Sequence, residues 1–81
     1  MTNSQGVAYE LDITADVCPM TFVRTRLALD RLAPGELLLV HLKGQEPLLN
    51  VPRSAESLGH AVLSTQTDSL GISHLVIRRG G

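Results

Sequence analysis

The chain has one cysteine, Cys18, among its 81 residues. With no second thiol an intramolecular disulfide is excluded, and a lone cysteine in so small a domain fits a reducing compartment, because small domains outside the cell usually carry several disulfides. Charge of one sign is missing as well: seven Lys and Arg stand against eight Asp and Glu, a formal net charge of −1. That leaves no basic footprint for direct nucleic-acid binding. No apolar run approaches the roughly 20 residues of a bilayer-spanning helix, and Met1 to Gly6 lacks the basic and apolar regions of a signal peptide. The expected location is cytoplasmic, without membrane insertion. There is no Gly-rich phosphate loop, serine elbow or paired-carboxylate motif, and His41, His60 and His74 show no metal-ligand spacing. Neither a metal site nor a bound cofactor is therefore expected. Length sets the last limit, since a chain of this size builds one modest core and has no room for a deep active site beside a cofactor domain.

What is present reads as one alternation of strands and helices. Ala8 to Ile13 alternates, with Tyr9, Leu11 and Ile13 on one face and Glu10 and Asp12 on the other, which predicts a half-exposed first strand. Pro19 suits the first position of a helix running to about Leu32, where Ala33-Pro34-Gly35 stops it. Glu36 to Leu42 is a nearly continuous apolar run and predicts a central strand. Lys43 to Leu49, with Gly44 and Pro47, reads as a loop, and Val51-Pro52 opens a shorter helix ending near Gly59 or His60. Val62 to Thr67 and Ile72 to Arg78 read as strands joined by a turn at Asp68-Ser69-Leu70-Gly71. The order βαβαββ predicts an α/β two-layer sandwich, a four-stranded mixed sheet with two helices on one face. Residues 1–7 are expected to form a flexible N-terminus, 8–79 a single domain and 80–81 a flexible Gly-Gly tail.

Cys18 falls where the first strand gives way to the first helix. The leading N–H groups of a helix lack internal partners and the macrodipole is positive there, so the thiolate is favoured over the thiol. Such a cysteine is a nucleophile at neutral pH. On the helix itself, Phe22, Thr25, Ala28, Leu29 and Leu32 form one core face. Met20, Val23 and Leu27 form a second stripe on the opposite side, beside Arg24 and Arg31. Two readings of that stripe stay open: the second helix covers it, or it is an apolar docking ridge edged by arginines that meet an acidic partner.

These features together resemble the TusA (SirA-like) sulfur-carrier family. Cys18-Pro19, Arg26 and Pro34-Gly35-Glu36 stand at the family spacing, supported by Val51-Pro52 and the closing Arg78-Arg79-Gly80-Gly81, and the resemblance runs from about Leu11 to Gly81. It implies a two-layer α/β sandwich in which Cys18 carries sulfane sulfur as a persulfide. The implied partners are a donor protein, a cysteine desulfurase or a rhodanese-like protein, and an acceptor protein, met by a monomer in transient complexes. Pro19 would fix the helix start, the N–H groups of Met20 and Thr21 would point toward the sulfur, and Arg26 or Arg24 would add positive potential. Val23, Arg24, Leu27 and Arg31 would form the docking surface. The chain departs from the pattern twice: Thr21 stands where the family has a second proline, and Asn50 where an aspartate commonly precedes the Val-Pro pair. Thr21 restores an N–H and adds a hydroxyl near the helix start, a change expected to bear on partner choice more than on chemistry.

Three rivals use the same residues. Gly80-Gly81 could carry a thiocarboxylate, although carriers of that kind begin with a β-hairpin and here a helix follows the first strand. A non-enzymatic binding or regulatory module would use the first-helix surface alone. A peroxide-sensing thiol would lack a resolving cysteine in the same chain.

Overall fold

The computed structural model describes residues 7–16 and 20–80. Six elements follow in the expected order: β1 (Val7–Asp12), α1 (Met20–Asp30), β2 (Leu37–Lys43), α2 (Gln45–Ser57), β3 (Ala61–Thr67) and β4 (Ile72–Arg78). The strands form one sheet in the order β1-β2-β4-β3. β1 lies parallel to β2, as a crossover through α1 requires, and the other two pairings are antiparallel. The sheet is mixed and four-stranded, with α1 and α2 on one side.

Period-two burial sets which side that is. On β2, Leu38, Val40 and Leu42 are buried while Leu37, Leu39 and His41 are only partly covered; on β4, Ser73, Leu75 and Ile77 alternate in the same way with His74 and Val76. The buried set meets Leu29 and Leu32, at and just beyond the end of α1, and Val51 and Ala55 from α2, with Leu11 and Ile13 closing the β1 end. Tyr9 shares the helix-facing side with Leu11, pairing with Leu38 as Leu11 pairs with Val40, but stays exposed at the edge of the sheet, where it lines an open groove beside α1.

α2 corrects the expected loop over Lys43 to Leu49, since the helix begins at Gln45. Gly44 turns the chain at φ 103° immediately before it, a conformation glycine adopts without penalty. Pro47 lies in the first turn, where a missing N–H removes no helical bond, and it is buried rather than looped out. Pro47, Val51 and Ala55 then repeat every fourth residue along the buried face. Pro52, read as a helix start, sits inside the helix. α2 ends in a Schellman motif: the Gly59 N–H donates to Glu56 O and the His60 N–H to Ala55 O, both at 3.0 Å, with Gly59 at φ 92°.

The turn that ends α1 explains the Pro34-Gly35-Glu36 signature. Glu36 N–H donates to Ala33 O at 3.0 Å, the Glu36 carboxylate accepts the Ala33 N–H at 2.7 Å, and Gly35 takes φ 90°, the position a type II turn gives to glycine. Arg79 reaches the same place from the other end of the chain. Its guanidinium donates to the carbonyls of Leu32 and Asp30, where the α1 C-terminus favours positive charge. The Gly80 N–H donates to His60 Nδ1 at 3.0 Å.

Candidate functional site

Val17, Cys18 and Pro19 lie outside the described residues, so the site is built from what brackets them. On the strand side, the Ile13 N–H continues the sheet by donating to His41 O, and the Asp16 N–H folds back onto Ile13 O. Asp12 stabilises this exit, since its Oδ1 accepts the Thr14 N–H at 2.9 Å and the Thr14 hydroxyl at 2.7 Å. Those bonds, the backbone one first, hold the Asp12 carboxyl below the usual carboxylate range. On the helix side, α1 starts at Met20 with no acidic residue in its first turn. Nothing in that turn offsets the positive end of the helix.

One ion pair joins the two sides. Arg24 Nη1 lies 2.6 Å from Asp16 Oδ2, so α1 and the end of the β1 segment are tied across the three residues that hold the thiol. Arg24 thus has an ordered partner, and the negative charge two residues before Cys18 is matched. Asp16 was not singled out in the sequence, where only its nearness to Cys18 and the eight-residue step to Arg24 could have pointed to it. Arg26 is exposed elsewhere, on a shallow cleft of about 480 Å³ between α1 and α2 with Phe22, Asn50, Arg53 and Ser54.

Thr21 was expected to influence partner choice from the helix start. It is fully buried, its carbonyl accepting the Thr25 hydroxyl at 2.8 Å. Phe22, Thr25, Ala28, Leu29 and Leu32 do face inward, with Phe22 and Ala28 half-buried. The opposite stripe resolves as well: Met20 is 48% exposed, Val23 37% and Leu27 58%. α2 lies over the Phe22 and Arg26 side of the helix and leaves the stripe bare. Beside it, Leu27, Ala28, Arg24 and Arg31 form a groove of about 420 Å³ with Ala8, Tyr9 and Leu11 of the edge strand.

No helix among the described residues is long and apolar enough to cross a membrane. The chain matches the family described as Sulfurtransferase TusA over residues 9–79. A protein of Archaeoglobus fulgidus named "Putative sulfur carrier protein" is 45% identical over 56 residues, 69% of this chain and 64% of that protein's length, so the match spans less than two thirds of that relative. YedF of Escherichia coli, with the same description, is 34% identical over 68 residues, 84% of this chain and 88% of its own. Among solved structures, a SirA-like protein from Desulfitobacterium hafniense superposes with a TM-score of 0.79 at 23% identity, covering 90% of this chain and 99% of that one. A Helicobacter pylori protein gives 0.73 at 17% identity, covering 89% and 97%. At these identities the two structures speak for the fold.

Proposed function

The chain belongs to the TusA sulfurtransferase family, and on that premise we propose that it is a sulfur carrier whose Cys18 accepts sulfane sulfur and passes it on. The Cys18 thiolate attacks the outer sulfur of a donor persulfide. The donor's S–S bond breaks, the donor leaves as its thiolate, and Cys18 holds the outer sulfur as a persulfide. A second exchange hands that sulfur to the acceptor and returns Cys18 to the thiolate. No general base is needed while the thiolate is populated.

The family match carries the reading, and the surroundings of Cys18 support it. A helix start without first-turn acids favours the thiolate and the persulfide anion. Arg24 neutralises Asp16, the nearest carboxylate in the chain before the thiol. On this reading the backbone N–H groups of Met20 and Thr21, at the start of α1, would favour the charged sulfur, and Arg26 would contribute only at a distance from its cleft between the helices. The donor, a cysteine desulfurase or rhodanese-like protein, and the acceptor dock in turn on the ridge of Val23, Arg24, Leu27 and Arg31, with the carrier acting as a cytoplasmic monomer.

Intact mass tests this directly. The reduced protein is exposed to a cysteine desulfurase with cysteine, or to polysulfide, beside Cys18→Ser. The expected result is a gain of one or more sulfur atoms that thiol reductant removes and Cys18→Ser lacks. A folded protein that gains no sulfur from any donor would sink the proposal. The bare Met20, Val23 and Leu27 stripe favours a second reading, a non-enzymatic binding module, which gains if Cys18→Ser keeps the cellular role.

A further inference from the structure

The open face of the sheet carries a row of four polar side chains that sulfur transfer does not use. His41 of β2 stands directly opposite His74 of β4, and both point away from the helices because Val40, Leu42, Ser73 and Leu75 on either side of them point inward. Their Nδ1 atoms are 2.7 Å apart, with the rings nearly perpendicular at 79° and their centroids 4.9 Å apart. The outer nitrogens are held at both ends. His41 Nε2 lies 2.5 Å from Glu10 Oε2, and His74 Nε2 lies 3.0 Å from Asp68 Oδ2.

Hydrogen-bond accounting assigns the protons. An ionised carboxylate only accepts, so each Nε2 carries a proton and donates it outward. Both Nδ1 atoms then turn inward, and one proton between them completes the contact. Two imidazole nitrogens aimed at one point, each ring fixed by a carboxylate on its far nitrogen, is the arrangement that metal-bound histidines show, with the carboxylate orienting the ring and raising its basicity. We propose that His41 and His74 bind a late first-row divalent metal ion of the Cu²⁺ and Ni²⁺ class through their Nδ1 atoms, oriented by Glu10 and Asp68.

The ion takes the two lone pairs and releases the one proton that they share, with no change in its oxidation state. At a metal–nitrogen distance of about 2.05 Å, a right-angled pair sets the two nitrogens about 2.9 Å apart and a tetrahedral pair about 3.3 Å apart. The observed spacing is set by the shared proton, and the preference for Cu²⁺ and Ni²⁺ follows from two imidazole ligands and the higher affinity that nitrogen sites have for these ions among the first-row divalent metals. The rings now meet head-on, so each must swing about its own side-chain bonds to share an ion lying off the line between them. They have room to do so on the face away from the core, where the two side chains are 20% and 36% exposed and their carboxylate partners, 64% and 39% exposed, can follow the rings. Among the described residues no group of three or more metal-ligating side chains converges. The site therefore supplies two protein ligands, water completes the coordination, and the affinity is moderate. This inference is independent of the sulfur-carrier reading.

The probe is Cu²⁺ itself, titrated calorimetrically into the Cys18→Ser protein so that the thiol neither binds nor reduces it, with electron paramagnetic resonance on the product. The expected result is one ion per chain, two coordinated ring nitrogens, about one proton released per ion, and affinity that weakens as pH falls. His41→Gln and His74→Gln should each weaken binding by at least about tenfold, Glu10→Gln by less, and His60→Gln not at all. Urea denaturation of each variant shows that the fold is kept. The double variant His41→Gln/His74→Gln measures binding by the chain terminus and other groups. If the Cys18→Ser protein binds Cu²⁺ no better than that double variant, or if the spectrum lacks two ring nitrogens, the pair is a proton bridge only and the metal site is refuted.

Discussion

Leu27 and Leu29 lie two positions apart on α1, so about 200° separates their side chains, and the same substitution at each should have opposite consequences. Leu29 is 1% exposed and belongs to the core, whereas Leu27 is 58% exposed. Truncating a buried leucine to alanine costs about 2–5 kcal/mol, the spread reflecting how far the cavity collapses. Burying a leucine fully is worth about 1.5–3 kcal/mol, so the part of Leu27 already out of water contributes about 1 kcal/mol at most, and the better helix propensity of alanine offsets a little of that. In a domain of this size about 1 kcal/mol moves Tm by roughly 4–8 °C. Urea denaturation should therefore show a small loss for Leu27→Ala and a loss of at least about 2 kcal/mol for Leu29→Ala at unchanged m-value. Single-turnover transfer from a persulfidated donor should show the reverse. Leu27→Ala should slow it by about tenfold, equivalent to about 1.4 kcal/mol of docking, while the folded fraction of Leu29→Ala transfers at the normal rate. A loss above about 2 kcal/mol for Leu27→Ala would mean that α1 is seated the other way round. A stable Leu27→Ala that transfers at full speed would remove the ridge from the mechanism.

Two further expectations concern the chain end and the β1 exit. A Cβ on Gly80 would sit 1.9 Å from the Gly59 carbonyl oxygen, so Gly80→Ala must release the tail and lose its bond to His60, costing about 0.5–1.5 kcal/mol; deletion of residues 80–81 should cost the same by urea denaturation, and a neutral Gly80→Ala beside a costly deletion would refute the close approach. The Asp12 carboxyl is lowered from 3.8 in the folded chain, so its contribution is present above that value and is lost as pH falls through the lower folded one; the stability gap between the natural chain and Asp12→Asn, followed by urea midpoints, should narrow in acid, and a gap independent of pH would contradict the Thr14 bonds as its cause.

Local chemistry was legible in the sequence where a local rule governs the structure. β4 and the turn before it follow from alternation and from Asp68 and Gly71, and the α1 stop follows from Pro34-Gly35. α2 was not legible over its first two turns, because Gly44 and Pro47 signal a loop to any local rule, although a proline in a helix's first turn gives up no hydrogen bond. The Arg24–Asp16 tie and the His41–His74 pair depend on which segments the fold brings side by side. His41 and His74 are 33 residues apart in the chain, and only the β2–β4 register makes them neighbours. Of the candidate site, Cys18 was singled out from the sequence and lies outside the described residues, whereas the Arg24–Asp16 charge match beside it could not be read from local rules.

The seating of α1 bears on function through the stripe that it leaves bare. The helix has two apolar stripes, and it turns toward the sheet the face that includes Thr21 and Thr25, both fully buried, while Val23 and Leu27 face out. A buried hydroxyl must find a partner to avoid a desolvation cost, and Thr25 does so on the Thr21 carbonyl within the same helix. An arrangement that buried Val23 and Leu27 instead would require no such bond but would bring Phe22, Leu29 and Leu32 out toward water. Turning α1 to bury them would also carry Arg24 away from Asp16, releasing a carboxylate beside the Cys18 segment. Holding the threonines inward keeps that ion pair and leaves an apolar, arginine-edged ridge running from the start of the helix that Cys18 precedes. On the proposed sulfur-carrier reading, a partner that covered the ridge would bring its own sulfur to that helix start, coupling docking and transfer through the orientation of one helix.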